Sequence, residues 1–192
     1  MEKYEDKVVW SMVEDTTVVA YVASTTSLVE EARFLHNTSP VATAALGRAL
    51  TLAGIMGAAL KEGQKVTLHI RCLGPLESIL AQANSQGAVR GYVSQPSVFV
   101  PSREDKKLNV EEAVGKGSQL SVVKDLGLGE PYAGYIKMPR GGIAYDLAYY
   151  FALSEQLPSA CSAGVYVGEK GEVLSSGGFI IHTPLGTPQH VI

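Results

Sequence analysis

The sequence predicts an α+β fold built as a single domain, and three observations carry that prediction. Period-two alternation of apolar and polar residues, the mark of strands, recurs along the chain, whereas helical periodicity is confined to a few stretches. Strand-like and helix-like segments do not follow one another in regular alternation, which disfavours a doubly wound dinucleotide fold. The length, 192 residues, is one domain's worth. At that size folding removes about 70% of the accessible surface from water, so a core forms without disulfide or metal staples.

The elements follow in order. Alternation from Lys7 to Val13 and from Thr16 to Ala23, across an acidic Glu14–Asp15 turn, predicts an antiparallel pair. Ser27-Leu28-Val29-Glu30 has capping-box spacing, in which the hydroxyl caps one backbone N–H and the Glu reaches back to another, so a helix runs to about His36. Ser39-Pro40 supplies a cap and a first-turn proline for a second helix, rich in Ala and Gly, ending near Lys61-Glu62-Gly63. From Lys65 to Cys72 apolar Val66, Leu68, Ile70 and Cys72 alternate with Thr67, His69 and Arg71, a strand with one buried face. Beyond Gly74-Pro75, Leu76 to Asn84 is expected as a short helix with Leu76, Ile79, Leu80 and Ala83 on one stripe, and Ala88 to Val93 as a strand. The mixed charges of Pro101 to Lys107 predict a solvated loop. Strands are expected at Gln119 to Lys124 and Tyr132 to Met138, then a helix from Ile143 to Gln156 that Leu157-Pro158 stops. Cys161 to Val167 and Glu172 to Ile181 complete a hairpin through Gly168-Glu169-Lys170-Gly171.

Composition narrows the function classes. Charged residues are 18% of the chain against a usual figure of about 25%, while apolar residues make up 46%. Sixteen basic against nineteen acidic side chains leave a net charge of −3 with no basic run, so nucleic acid is not expected as a partner. Two cysteines, Cys72 and Cys161, neither form a zinc site by themselves nor suggest a secreted disulfide framework, which fits a reduced, cytoplasmic chain. The first twenty residues interleave charge with apolar side chains and read as no export signal. Pro40 to Leu60 is apolar mainly through Ala and Gly and carries Arg48 mid-helix, so it is expected inside the protein and not across a membrane.

Catalytic patterns are weak. Ser121 and Lys124 have the Ser-x-x-Lys spacing of acyl-serine enzymes, but on a strand residues three apart point to opposite faces, and the companion motifs are missing. His69 and Cys72 fail as a metal pair for the same reason, and His36, His182 and His190 lack ligand spacing. Gly115-Lys116-Gly117-Ser118 lacks the order of a phosphate loop and reads as a turn. The acidic pairs Glu30-Glu31 and Glu111-Glu112 fit helix first turns, where the macrodipole favours negative charge. No catalytic residue and no metal site is expected in the chain.

Several segments together do carry a signal: EARFLH (31–36), SPVATAALGRALTLAGIMGAALK (39–61), GPLESILAQAN (74–84), VRGYVSQP (89–96), LSVVKDLG (120–127), PYAG (131–134), DLAYYFALSEQLPSA (146–160) and GGFII (177–181). In this order they resemble the family of the thirty-three-kilodalton heat-shock protein, a redox-regulated holdase chaperone of bacteria. The resemblance implies stacked or mixed β-sheets with helices packed on one side, and a core domain over residues 1–181. It also implies the start of a linker over 182–192, and a zinc-binding C-terminal domain, absent from this chain, that holds zinc through Cys-x-Cys and Cys-x-x-Cys. Zinc is therefore expected only there, and Cys72 and Cys161 do not match the switch cysteines. The sequence departs from the family at Gly142 and Tyr145, where acidic residues are frequent, and at His182, where Gln is usual.

The implied function is capture of unfolded or partly folded proteins under oxidative and heat stress, in a homodimer that allows strand exchange between protomers. The alternative is a dimerisation module whose substrate capture resides in the missing linker. Candidate client-facing residues are the outlying aromatics Trp10, Phe99, Tyr132 and Tyr135, for each of which core packing is the ordinary competing explanation.

Overall fold

The computed structural model describes residues 5–13 and 17–183. The acidic turn at Glu14–Asp15 and all of the expected linker start except His182 and Thr183 lie outside the described residues, as does His190. Strands β1 (Lys7–Met12) and β2 (Val19–Ser24) are followed by helices α1 (Thr26–His36) and α2 (Pro40–Ala58). Three strands come next, β3 (Lys65–Arg71), β4 (Ser78–Asn84) and β5 (Val89–Val93), then the short α3 (Val110–Val114). Strands β6 (Gln119–Asp125) and β7 (Tyr132–Lys137), helix α4 (Ala144–Ser154), and the hairpin β8 (Ser159–Val167) and β9 (Val173–His182) complete the chain.

Two antiparallel sheets result, one of four strands in the order β1-β2-β9-β8 and one of five in the order β5-β4-β3-β6-β7. Each has helices on one side only, as the family resemblance implies, and the sides are shared: α1, α2 and α4 each touch strands of both sheets. The architecture is therefore sheet, helix layer, sheet. At its centre sixteen of the nineteen residues of α2 are buried. Small side chains permit this. A Cβ on Gly47 would stand 2.6 Å from Val29 Cγ1 and 2.7 Å from Val165 Cγ2, and one on Gly57 would stand 2.7 Å from Ala83 Cβ. Gly47 thus admits α1 and the four-stranded sheet, and Gly57 admits β4 of the five-stranded one. Helix α2 is long and apolar enough to cross a membrane, but its burial makes it the core helix that its composition predicts.

Two local expectations are overturned. The segment Leu76–Asn84 is not helical: Ser78–Asn84 is β4, paired to both β3 and β5. Ile79 and Ala83, four apart, face inward in either geometry, so the apolar stripe did not discriminate. Leu80, inward on a helix, lies half-buried on the outward side of the sheet. Two flanking strands outweigh the helical preference of Leu, Ala and Gln. The capping box at Ser27–Glu30 does not form either. Helix α1 starts two residues earlier, with Thr25 at its cap position, and the Asp6 carboxylate accepts the N–H groups of Ser27 at 3.0 Å and Leu28 at 2.6 Å. Glu30 turns to Arg33, at 2.6 and 2.8 Å, and to the N–H of Val173 at 2.8 Å. An ionised carboxylate is a stronger acceptor than a hydroxyl and brings the negative charge that the helix N-terminus favours. The first turn of α1 holds no acid of its own, so Glu30-Glu31 does not serve there, whereas Glu111 and Glu112 do begin α3.

Candidate functional site: the outward faces of the two sheets

With the helices between the sheets, each sheet turns one face to solvent. On the four-stranded sheet, Val165 and Gly178 meet α2, so the opposite phase is outward. One outward row, read across the register, is Val9, Val22, Phe179 and Ser162, and the next is Ser11, Ala20, Ile181 and Ala160. Val9, Val22 and Phe179 are exposed, and Lys7 at one end is the only charge in the paired rows. A contiguous apolar face of this kind on a folded domain marks a surface that meets something greasy.

The five-stranded sheet is different. Its central outward row runs Tyr92, Leu80, His69, Ser121, Tyr135. On one flank lie Arg90, Gln82, Thr67, Val123 and Ala133, on the other Arg71, Gln119 and Lys137. Polar and basic side chains dominate. His69 Nε2 lies 3.1 Å from Ser78 Oγ, and partial burial, then the charge of Arg71, lower its pKa.

The four aromatics singled out from the sequence are exposed, Trp10 at 64%, Phe99 at 88%, Tyr132 at 49% and Tyr135 at 72%, so none is a core residue. They do not converge. Trp10 sits on the helix-facing phase of β1, where it lines a groove of about 910 Å³ with Val8, Leu28 of α1, Gly54 of α2 and Val89 of β5. Phe99 is on the loop after β5, and Tyr132 and Tyr135, three apart on β7, face opposite sides of the sheet. Sequence reasoning passed over Val9, Val22 and Phe179. Their signal is apolar residues in both phases of a strand, as in Val8-Val9-Trp10 and Phe179-Ile180-Ile181.

The remaining chemistry is structural. Ser121 points outward, while Lys124 points inward to Glu155 Oε1 at 2.5 Å, which removes the acyl-serine reading. Glu155 Oε1 also accepts from the buried Tyr150 hydroxyl at 3.1 Å. Burial pushes the thiols of Cys72 and Cys161 up to about 12, so both stay protonated and unreactive at neutral pH. The carboxylate of fully buried Asp146, in the first turn of α4, accepts the N–H of Arg140 at 3.1 Å, and burial raises its pKa. Arg140 stacks on Tyr145 at 4.1 Å. Among the described residues no three His, Cys, Asp or Glu side chains converge to hold a metal.

Comparison with known proteins agrees with this architecture. The sequence profile of the Hsp33 protein family matches residues 6–184. A protein of Thermoanaerobacter sp. (strain X514) named 33 kDa chaperonin is 45% identical over 177 residues, covering 92% of this chain and 60% of its own length. Its namesake from Geobacillus sp. (strain WCH70) is 45% identical over 187 residues, covering 97% and 63%. The crystal structure of the 33 kDa chaperonin of Thermotoga maritima superposes with a TM-score of 0.87 at 42% identity, over 91% of this chain and 60% of that one. The chain thus spans about three fifths of the length of the curated relatives it matches. On these matches the chain belongs to the Hsp33 protein family.

Proposed function

We propose that this chain is the core domain of a redox-regulated holdase that binds unfolded polypeptide and keeps it from aggregating under oxidative and heat stress. One observation carries the reading: the outward face of the four-stranded sheet sets Val9, Val22, Phe179, Ile181 and Ala160 among small side chains with Lys7 as the one charge in its paired rows, and no helix of the described residues covers it. Desolvation of such a face against an apolar segment is favourable and needs no sequence specificity, which suits a holdase. Trp10 and its groove lie round the edge of the same sheet, at β1, and extend the apolar surface. Tyr132, Tyr135 and Phe99 lie elsewhere and are weaker candidates for client contact.

In this reading the zinc-binding thiolates belong to the part of the relatives that this chain does not span, and their oxidation sets when the face is available. The inert thiols of Cys72 and Cys161 are consistent with a switch located elsewhere. The open edges at β1 and β8 suit a homodimer, formed edge to edge or by strand exchange, in the cytoplasm. The test is light scattering of a heat-unfolded client with this chain present. Suppression by the wild type and its loss in the double variant Val22→Lys/Phe179→Lys, with circular dichroism unchanged, is the expected result. If the wild-type chain leaves aggregation unchanged while a full-length relative suppresses it, capture resides outside this core and the dimerisation-module reading takes its place.

A further inference from the structure

The outward face of the five-stranded sheet lies apart from the apolar face that carries that reading, and its chemistry points to another partner. Lys65, Arg71, Arg90 and Lys137 project from it against one carboxylate, Asp125, in a chain whose overall charge is −3. None of the four cations forms an ion pair among the described residues. Arg90 is held instead by a neutral amide, donating from Nε at 3.0 Å and Nη2 at 2.7 Å to Gln82 Oε1, so its charge is fixed in place without being neutralised. Whole-chain charge hides this segregation, which is why composition argued against an anionic partner. Tyr92 and Tyr135 stand at opposite ends of the central row, both exposed. Four inter-strand steps separate them, roughly 19 Å.

We propose that this face binds single-stranded nucleic acid, its phosphates along the cations and its bases stacked on Tyr92 and Tyr135. Charge complementarity selects a polyanion, because phosphate neutralisation by Lys and Arg supplies the affinity. The tyrosines select among polyanions. An exposed ring stacks on a base only when that base is outside a helix, and aromatic side chains on a sheet surface flanked by cations are a recurring way to hold single strands. A duplex would need an element that enters its groove, and the open sheet surface offers none. An acidic peptide or polyphosphate would use the cations and leave the tyrosines idle.

The experiment is fluorescence anisotropy of a fluorescein-labelled oligouridylate of about fifteen nucleotides with the chain as it stands, at several salt concentrations. Binding that weakens as salt rises is expected. Arg71→Gln/Arg90→Gln should weaken it and flatten the salt dependence, and Tyr92→Leu/Tyr135→Leu should weaken it at least tenfold while leaving the salt dependence intact. All four sites are exposed, so thermal unfolding should be unchanged, and Val22→Ser on the other sheet should bind as wild type does. The proposal is overturned if the oligonucleotide does not bind. It is equally overturned if the tyrosine variant binds as well as the wild type, or if polyphosphate or a duplex of equal length competes as effectively as the unlabelled strand.

Discussion

The two sheets share one helical layer, and each turns its inner face to α2. Their outward faces are opposites: one offers Val9, Val22, Phe179 and Ile181 with a single lysine at its end, the other sets four cations and two tyrosines among hydroxyls and amides. Solubility does not require the difference, since a polar outward face on both sheets would serve it better. The contrast teaches that the two outward faces differ in chemistry although they are built on one helical layer.

Whether the faces are also independent can be tested from the inside, where the largest effects are expected. Gly47→Val places methyls into Val29 and Val165, on the side of the four-stranded sheet, and Gly57→Val places them into Ala83 and the Asn84 carbonyl, on the side of the other. Overpacking of this kind costs about 1–3 kcal/mol, which in a chain of this size lowers Tm by roughly 2–12 °C. Hydrogen exchange should show where. Protection should fall first in β8 and β9 for Gly47→Val, with client capture lost, and first in β4 and β5 for Gly57→Val, with capture retained. Equal loss in both sheets from either variant would mean that the layer couples the two faces and that they are not independent.

A smaller effect is expected from Asp6, which ties the entry of β1 to the start of α1 through the N–H groups of Ser27 and Leu28. Strand β1 is an edge strand, exposed along nearly its whole length. Asp6→Ala removes a capping interaction of about 1 kcal/mol. Exchange of β1 amides should quicken, and the apolar face should lose its outermost strand part of the time. Binding on the five-stranded sheet should not change.

How much of this was legible in the sequence differs between the sheets. Strict alternation in Lys65–Arg71 announced β3 and its polar outward phase, and Gln119–Lys124 announced β6. What went unread was β4, because Ile79 and Ala83 satisfy both periods and only the flanking strands decide between them. The apolar face was obscured for a related reason: Val8-Val9-Trp10 and Phe179-Ile180-Ile181 fit a strand buried on both sides as well as one with a bare apolar side. Which it is depends on where the helices lie, and that is a tertiary fact. The basic face was hidden because its cations come from three strands, two of them from the ends of β3 and one each from β5 and β7, which lie far apart in the sequence.

The finest test uses one histidine from each sheet. His182 ends β9 on the helix side, its Nδ1 2.8 Å from Ser159 Oγ and its ring edge-on to Phe151 and Tyr21. Burial lowers its pKa, Glu155 opposes that and Lys124 adds to it. His69 is also lowered, by burial and by Arg71, but it lies on the outward side of the five-stranded sheet. A histidine with a depressed folded pKa stays neutral in the native state while the unfolded chain takes up a proton below about pH 6.5. The unfolded state then binds more protons, so stability is lost as pH falls through that value and is unaffected well above it. His182→Gln should therefore reduce the drop in Tm between pH 7.5 and pH 5.5, and His69→Gln should reduce it less, because His182 is the more enclosed of the two. Adding the oligonucleotide should distinguish them further: a polyanion beside His69 favours its charged form and raises its pKa, while His182, behind the other sheet, should titrate as before. If the oligonucleotide moved His182 and left His69 unchanged, the basic face would not be where it binds.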